Sequence, residues 1–171
     1  IMVSVLASIM LWEMGFFDMD LRNTAPRSPY ETLGGIVFLP RAIDKVRGEL
    51  AGTLGDYISR GGRSGVLREF LGIDEEEVVD GVSTRLTNSD VWTWLSGRMR
   101  PQSQLAIADF NDRMCSTSPD KGDWTWEQFQ AQLEESGNGH RKDIKRHFDR
   151  LDLDDGRDVP VGGRWWRKES Q

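Results

Sequence analysis

The amino-acid sequence predicts a mainly α-helical fold, formed as a single compact domain of six or seven short helices with an irregular N-terminal arm. Several segments between residues 39 and 151 repeat apolar side chains three and four positions apart, which is the period of an amphipathic helix. Capping side chains or glycines stand at the ends of most of these segments. The chain has 171 residues, of which 37% are hydrophobic, and this is enough for one core.

The first helix is expected over residues 41–51, where apolar side chains follow Pro40 with helical spacing. Before it, residues 20–35 contain two prolines and a Gly-Gly pair, so this arm is predicted to be irregular. The apolar run Ile36–Leu39 is too short to assign by its period. It fits either a strand or a buried lead-in to the first helix.

The second helix, around residues 66–71, is expected to end at Gly72, because glycine readily adopts the left-handed conformation of a C-terminal cap. The third is expected to begin at Asp74, ahead of three glutamates that suit the positive end of a helix dipole. The fifth is expected to open at Pro101, since proline suits the first turn of a helix.

The fourth predicted helix takes its cap from one of the three residues Asn88–Asp90. The sixth begins with Thr125 and Gln128, which have the spacing of a capping box. The seventh is predicted from about residue 138 to residue 150, where apolar residues again lie on one side. These seven segments account for the predicted helical domain.

Residues 1–18 are predicted to be a leader or translated upstream segment outside the fold. Ile1–Phe17 holds thirteen apolar residues, but it is shorter than a membrane-spanning helix and is interrupted by a glutamate. It also lacks the positively charged start of a signal peptide. Met19 is therefore the expected start of the helical domain, which spans residues 19–157, and residues 158–171 are expected to form an irregular C-terminal tail.

Two tryptophan pairs predict contacts outside the core. Trp92 and Trp94 lie two positions apart and cannot share one narrow helix face, so at least one is expected to reach a groove or a partner. Trp165 and Trp166 lie in the tail, where ordering the chain costs about as much free energy as burial of the two rings returns. A frayed or partner-bound tail is therefore predicted.

Composition narrows the classes of partner. Acidic side chains outnumber basic ones by 28 to 22, which gives a formal net charge of −6 and argues against nucleic-acid binding. A small molecule or a protein is the expected partner. The single cysteine, Cys115, excludes an intramolecular disulfide and a thiolate zinc site. This lone thiol and the lack of an export signal predict a cytoplasmic protein without membrane association.

The usual catalytic and metal-binding motifs do not occur in the sequence. The glycine-rich stretch Gly61–Gly65 lacks the lysine of a phosphate loop and the spacing of a nucleophile elbow. The acidic run that begins at Asp152 lacks the glycine and glutamate of a calcium loop and is interpreted as a surface turn. His140 and His147 lie seven apart, which is a poor chelating spacing. Neither a metal nor a cofactor is predicted.

The first turn of the first helix carries a cation, Arg41, where the helix dipole disfavours positive charge by about 0.3–1 kcal/mol. Lys45 lies four residues on and therefore on the same face, so both cations and the free backbone N–H groups can converge on one anion. Asp44, between them, can orient Arg41 or bind a donor on a ligand. The alternative is a solvated face with ordinary ion pairs.

Asp56 and Tyr57 follow soon after the first helix and can line the same polar pocket. The alternative for the tyrosine is a core ring with its hydroxyl at the surface. The sequence therefore predicts an anion-binding site composed of Arg41, Asp44, Lys45, Asp56 and Tyr57.

The segment from Asp20 to Ile58 reads DLRNTAPRSPYETLGGIVFLPRAIDKVRGELAGTLGDYI, and it resembles the opening of a bacterial family known as domain of unknown function 5069. Supporting similarities are FLGID at Phe70–Asp74 and FDRLDLDDGR at Phe148–Arg157. The resemblance covers roughly residues 20–157 and implies a compact bacterial domain. It implies no catalytic residue.

Two classes of function follow from these residues. The first is a noncatalytic binding domain for a small anionic ligand or an acidic group of a protein partner, held by Arg41 and Lys45. The second is an enzyme that acts on a phosphorylated or carboxylated small molecule, with Asp44 or Asp56 as general base.

Overall fold

The fold is taken from a computed structural model that describes residues 19–121 and 125–164. Within these residues the chain is mainly helical, with seven α-helices, one 3₁₀ turn and one two-stranded sheet, which confirms the predicted fold class. No helix among them is long and apolar enough to cross a membrane. The predicted leader, residues 1–18, and the tail tryptophans Trp165 and Trp166 lie outside the described residues.

The described residues form two compact units. Unit 1 comprises residues 19–27 and 31–102, and unit 2 comprises residues 28–30 and 103–164. The predicted domain limits, with one domain over 19–157 and a tail after it, stay predictions.

Unit 1 opens with an irregular arm and a short hairpin. Strands β1 (Thr32–Leu33) and β2 (Ile36–Val37) pair antiparallel across a two-residue turn. Both turn residues, Gly34 and Gly35, have positive φ, at 59° and 78°, which is the backbone that a tight type I′ hairpin requires and that glycine adopts most easily. The sequence predicted an irregular arm where β1 lies and left Ile36–Leu39 open between a strand and a lead-in to the helix, because strands of two residues show no detectable period.

Helix α1 (Leu39–Leu50) begins directly after the hairpin. Its cap residue is Phe38, which is the one non-glycine residue with positive φ, at 68°, among those described. The Phe38 ring is buried, and this burial offsets the strain of a left-handed backbone at a bulky residue. Both interpretations of Ile36–Leu39 therefore hold in part, since the run supplies a strand and then the first residue of α1.

Three further helices complete unit 1. Helix α2 (Gly62–Leu71) ends at Gly72 in the left-handed conformation, as predicted. Helix α3 (Glu75–Ser83) is capped by Asp74, whose carboxylate accepts from the Glu77 backbone N–H, again as predicted. Helix α4 (Asn88–Arg98) starts differently from the prediction.

The cap of α4 is Thr87, which forms a capping box with Asp90. The prediction that Asn88, Ser89 or Asp90 serves as the cap was therefore wrong by at least one position. Thr87 was not predicted as the cap because four consecutive residues there can each accept a cap hydrogen bond.

Trp92 and Trp94 of α4 are partly buried and pack against the backbone of unit 1. A Cβ atom added at Gly34 would overlap the Trp92 ring, and one added at Gly81 would overlap the Trp94 ring. Each ring therefore lies directly against a glycine backbone. The rings supplement a core of buried residues from the hairpin and four helices: Ile36, Phe38, Ile43, Leu67, Leu71, Val82, Val91 and Leu95.

Unit 2 contains α5 (Gln104–Ser116), the 3₁₀ turn Pro119–Lys121, α6 (Trp126–Glu135) and α7 (His147–Asp154). The capping box that starts α6 forms as predicted.

Two helix starts in unit 2 were predicted wrongly. Helix α5 is capped by Ser103 and does not open at Pro101. Helix α7 begins nine residues later than about Asn138, because the intervening segment forms turns. Ile144 lies in those turns and is nevertheless fully buried, which explains why an apolar position was mistaken for part of a helix.

The last described segment, residues 158–164, has no helix or strand but is bound firmly to unit 2. Arg141 donates to the carbonyls of Val159 and Pro160, and the Asp143 carboxylate accepts from the Gly162 N–H at 2.8 Å. Val159 is buried and belongs to the core of the unit with Phe129, Leu133, Ile144 and Leu153.

Candidate functional site

Helix α1 carries three charged side chains into the interior of unit 1. Arg41 is 2% exposed, Asp44 is 0% exposed and Lys45 is 7% exposed. Charged residues are seldom buried to this degree unless they are paired. The solvated-face alternative is therefore wrong for these three residues, which form part of the packed structure.

The partner of Asp44 is Arg27, from the N-terminal arm. Asp44 Oδ2 accepts from the Arg27 backbone N and from Nε, both at 2.9 Å, and Oδ1 accepts from Nη2 at 2.6 Å. Arg27 Nη2 also donates to the Pro40 carbonyl at 3.0 Å. Asp44 thus fixes the arm against the start of α1, whereas the sequence offered two other roles, orienting Arg41 or binding a donor on a ligand.

Asn88 extends this network to α4. Its Oδ1 accepts from Arg27 Nη2 at 3.3 Å and from Arg47 Nη1 at 2.7 Å. Arg47 also donates to the Leu86 carbonyl at 3.3 Å. Burial lowers the pKa of Arg47 because a charged guanidinium loses hydration there, and the Asp44 carboxylate opposes that effect.

Arg41 reaches the chain that follows α1. Its Nη1 donates to the Arg27 carbonyl at 3.1 Å, and its guanidinium lies 5.6 Å from the centre of the Tyr57 ring. That distance falls within the range of a cation–π contact. Tyr57 is partly buried, so its ring borders the guanidinium while part of the side chain reaches solvent.

Lys45 reaches the same stretch of chain. Its Nζ donates to the Ile58 carbonyl at 2.8 Å and to Ser64 Oγ at 3.0 Å, and it lies 4.9 Å from the centre of the Phe38 ring. The cationic groups of Arg41 and Lys45 therefore contact consecutive residues, Tyr57 and Ile58.

Asp56 is exposed at the surface next to that segment. The structure thus brings Arg41, Asp44, Lys45 and Tyr57 to one side of unit 1. Their role in binding an anion, together with Asp56, stays a prediction.

Sequence reasoning missed Arg27, Asn88 and Ser64, which hold the predicted site residues in place. Arg27 and Asn88 lie 17 and 61 residues from their partners in the chain. Local spacing carries no signal for such contacts.

A second polar cluster lies in unit 2. Tyr30 donates from its hydroxyl to Asp149 Oδ1 at 2.9 Å, and burial together with that carboxylate raises the tyrosine pKa. Asp152 accepts from Ser28 Oγ at 2.9 Å and pairs with Arg164 at 3.2 Å. Burial raises the pKa of Asp152, which is fully buried. The interpretation of this acidic run as a surface turn was therefore wrong at Asp152.

His147 and Cys115 pack in the protein interior, whereas His140 lies at the surface. His147 is buried and stands edge-on to the Phe129 ring at 5.3 Å, whereas His140 is exposed. The Cys115 side chain is buried, as expected of a small hydrophobic residue. Across residues 19–121 and 125–164, no three His, Cys, Asp or Glu side chains are grouped so that they could hold a metal ion.

The sequence matches the model of a known protein family. The model of domain of unknown function 5069 (DUF5069) matches residues 23–157, which is most of the sequence. The chain belongs to the DUF5069 family. Its matched segment contains Arg27, Asn88 and every residue of the predicted anion site, while the bound segment 158–164 lies outside the match.

Comparison with curated proteins gives no significant match. The DUF5069 family carries no assigned activity, so a function has to be argued from the site itself.

Proposed function

We propose that this DUF5069 protein is a noncatalytic binding domain that holds an acidic group at the start of α1. The observation that carries the proposal is the convergence of two cations on one short segment, since Arg41 lies against Tyr57 and Lys45 against Ile58. Cations held in fixed positions recognise carboxylate and phosphate groups through charge-assisted hydrogen bonds. The acidic group belongs to a small molecule or to a protein partner in a cytoplasmic setting.

Asp44 supports this function indirectly. By binding Arg27 through three hydrogen bonds, it fixes the Arg27 carbonyl that accepts from Arg41. A guanidinium held in this way loses little freedom when a ligand arrives, and such preorganisation favours binding. Tyr57 and Asp56 border the site, where the carboxylate of Asp56 selects ligands that also carry a hydrogen-bond donor.

The enzyme alternative requires Asp44 or Asp56 to act as a general base. Asp44 has both oxygens engaged by Arg27 and cannot take a proton from a substrate without breaking that ion pair. Asp56 is exposed at the surface, where water competes for its carboxylate. Binding is therefore the function that the geometry supports better.

A thermal-shift titration with inorganic phosphate, sulfate and citrate tests the proposal. An anion that binds the folded protein raises its stability by about 2.7 kcal/mol at a concentration 100 times the dissociation constant. The gain should disappear in Arg41→Gln and Lys45→Met. The matched control is Arg98→Gln, because Arg98 is an exposed cation on α4 that makes one ion pair, with Glu77.

Equal gains in the parent, the two site variants and the control would contradict the proposal. Because Arg41 and Lys45 are buried, Tyr57→Leu provides a milder variant. It removes the ring beside the guanidinium without deleting a charge, and it should weaken the anion effect while the protein stays folded.

A further inference from the structure

Asn138 is followed by Gly139, and this is the one Asn-Gly pair in the sequence. Glycine has no side chain to crowd its backbone nitrogen, so this nitrogen reaches the carboxamide of a preceding asparagine more readily than in other residues. Asparagine is also among the chemically least durable residues of proteins. The remaining asparagines precede threonine, serine and aspartate: Asn23, Asn88 and Asn111. Asn138 is therefore the asparagine that its neighbour can attack most easily.

The Gly139 nitrogen lies in the turns that connect α6 to α7. Its N–H donates no hydrogen bond within the described part of the chain. The Asn138 backbone, in contrast, is fixed, because its N–H donates to the Leu133 carbonyl at 2.6 Å and its carbonyl accepts from the Arg141 N–H at 2.9 Å. The attacking nitrogen is therefore unengaged, and the Asn138 side chain has to turn toward it.

The Asn138 carboxamide is surrounded by oxygen acceptors. Its Nδ2 donates to the Ser136 carbonyl and to Ser136 Oγ, both at 3.0 Å, and to the Leu153 carbonyl at 3.4 Å. The Ser136 hydroxyl donates to the Leu133 carbonyl at 3.1 Å, so toward Asn138 it acts as an acceptor. These oxygens suit an amide NH₂ group, whereas an ionised carboxylate accepts hydrogen bonds and donates none.

The same contacts join two helices of unit 2. Ser136 is the C-terminal cap of α6, and Leu153 belongs to α7. The Asn138 amide bridges them, so its conversion to an acid would place negative charge against both carbonyls. A lost hydrogen bond that leaves acceptors unsatisfied costs more than the bond contributed.

We propose that Asn138 is a modification site at which the protein deamidates spontaneously, and that the product loosens the end of α6 from α7. The Gly139 nitrogen attacks Asn138 Cγ, and a nitrogen–carbon bond forms as the Cγ–Nδ2 bond breaks. Nδ2 leaves as ammonia with the proton that the Gly139 nitrogen releases. Water then opens the succinimide ring at either carbonyl and gives aspartate or isoaspartate. This inference goes beyond the proposed function and involves none of its residues.

Mass spectrometry of the full chain tests the modification. After incubation of the folded protein at mildly alkaline pH, digestion at mildly acidic pH should give an Asn138 peptide that has gained the mass of an amide-to-acid change. The peptides of the other three asparagines serve as internal controls and should stay unmodified. In guanidinium chloride the reaction should be faster, because the contacts with Ser136 and Leu153 are then absent. An Asn138 peptide unmodified in the folded protein after a time that modifies it in guanidinium chloride would overturn the inference.

Urea denaturation of Asn138→Asp tests the effect of the product. This variant should unfold at a lower urea concentration than the parent at neutral pH. The difference should shrink as the pH falls, because a protonated carboxyl regains one donor. The matched control is Gln104→Glu, which makes the same amide-to-acid change at an exposed position and should differ little from the parent. Parent-like stability of Asn138→Asp at neutral pH would overturn the proposed loosening.

Discussion

At the scale of single residues, burial decides what each charge of α1 contributes. Asp44 is fully enclosed, and within the described part of the chain its carboxylate accepts hydrogen bonds from Arg27, a residue of the arm. A buried ion pair adds little to stability compared with apolar side chains of similar size. Removing one partner is costly, however, because it leaves an unpaired charge inside the protein. The pair therefore holds the arm in one position against α1.

Asp44→Asn should lower the free energy of unfolding by about 3 kcal/mol, near the bottom of the range for a broken buried pair, because the Arg27 side chain is 27% exposed. Urea denaturation measures this. Glu134→Gln breaks an exposed pair with Lys142 and should change stability by less than about 1 kcal/mol. Similar losses in both variants would contradict the role of Asp44.

Gly81 and Gly97 are both helical glycines, but they differ in what surrounds them. A Cβ added at Gly81 would overlap the Trp94 ring, whereas one added at Gly97 would meet nothing within 4 Å. Gly81→Ala should therefore lower the free energy of unfolding by about 1–3 kcal/mol through overpacking.

Gly97→Ala should raise the free energy of unfolding by about 0.5–1 kcal/mol, because alanine has the higher helix propensity. Thermal unfolding compares the two variants. An increase in stability in both would show that Trp94 does not lie on Gly81.

At the scale of secondary structure, helix ends follow local chemistry and can be predicted where that chemistry is unambiguous. Gly72, Asp74 and Thr125 each stand alone as the suitable cap residue, and each was predicted correctly. The start of α4 offers several adjacent cap residues, and there the prediction was wrong. The predicted start of α7 was wrong because Ile144 is buried by tertiary contacts, which an apolar residue in the sequence does not reveal.

The start of α4 can be tested by two alanine substitutions. Thr87→Ala removes the hydroxyl that accepts from the Asp90 N–H at 3.1 Å and should cost about 1 kcal/mol. Ser89→Ala, at a position that sequence analysis favoured equally, should be nearly neutral. Chemical denaturation measures the free energy of unfolding of both variants. A larger decrease for Ser89→Ala than for Thr87→Ala would contradict the assignment of Thr87 as the cap.

The candidate site shows the same division between local and long-range information. Helical spacing correctly predicts that Arg41 and Lys45 share one face, because the two residues lie four positions apart in the same helix. Their burial could not be predicted. It depends on Arg27 and Ser64, which are brought there by the arm and by α2.

At the scale of the whole molecule, buried ionisable groups make stability depend on pH. Tyr30 has a raised pKa in the folded protein because of burial and the nearby Asp149 carboxylate. In the unfolded chain it ionises near its ordinary value of 10.0. The unfolded state therefore loses this proton first, and the Tyr30 contribution to stability is present below pH 10 and is lost as the pH rises above it.

Urea unfolding between pH 9 and pH 11.5 should show that the free energy of unfolding falls with rising pH in the parent. It should fall less steeply in Tyr30→Phe. Absorbance at 295 nm provides an independent readout. The part of the signal that disappears in Tyr30→Phe should not titrate near pH 10 while the protein is folded. A Tyr30 signal with a midpoint close to 10 would contradict the buried hydrogen bond to Asp149.

A heavy oxyanion in the crystal shows whether Arg41 and Lys45 jointly bind an acidic group, as we propose. Crystals soaked in selenate should give an anomalous peak within about 4 Å of both cationic groups, a distance set by charge-assisted hydrogen bonding. The peak should disappear in Arg41→Gln crystals. Selenate found elsewhere on the surface, with none beside Arg41 and Lys45, would contradict the claim.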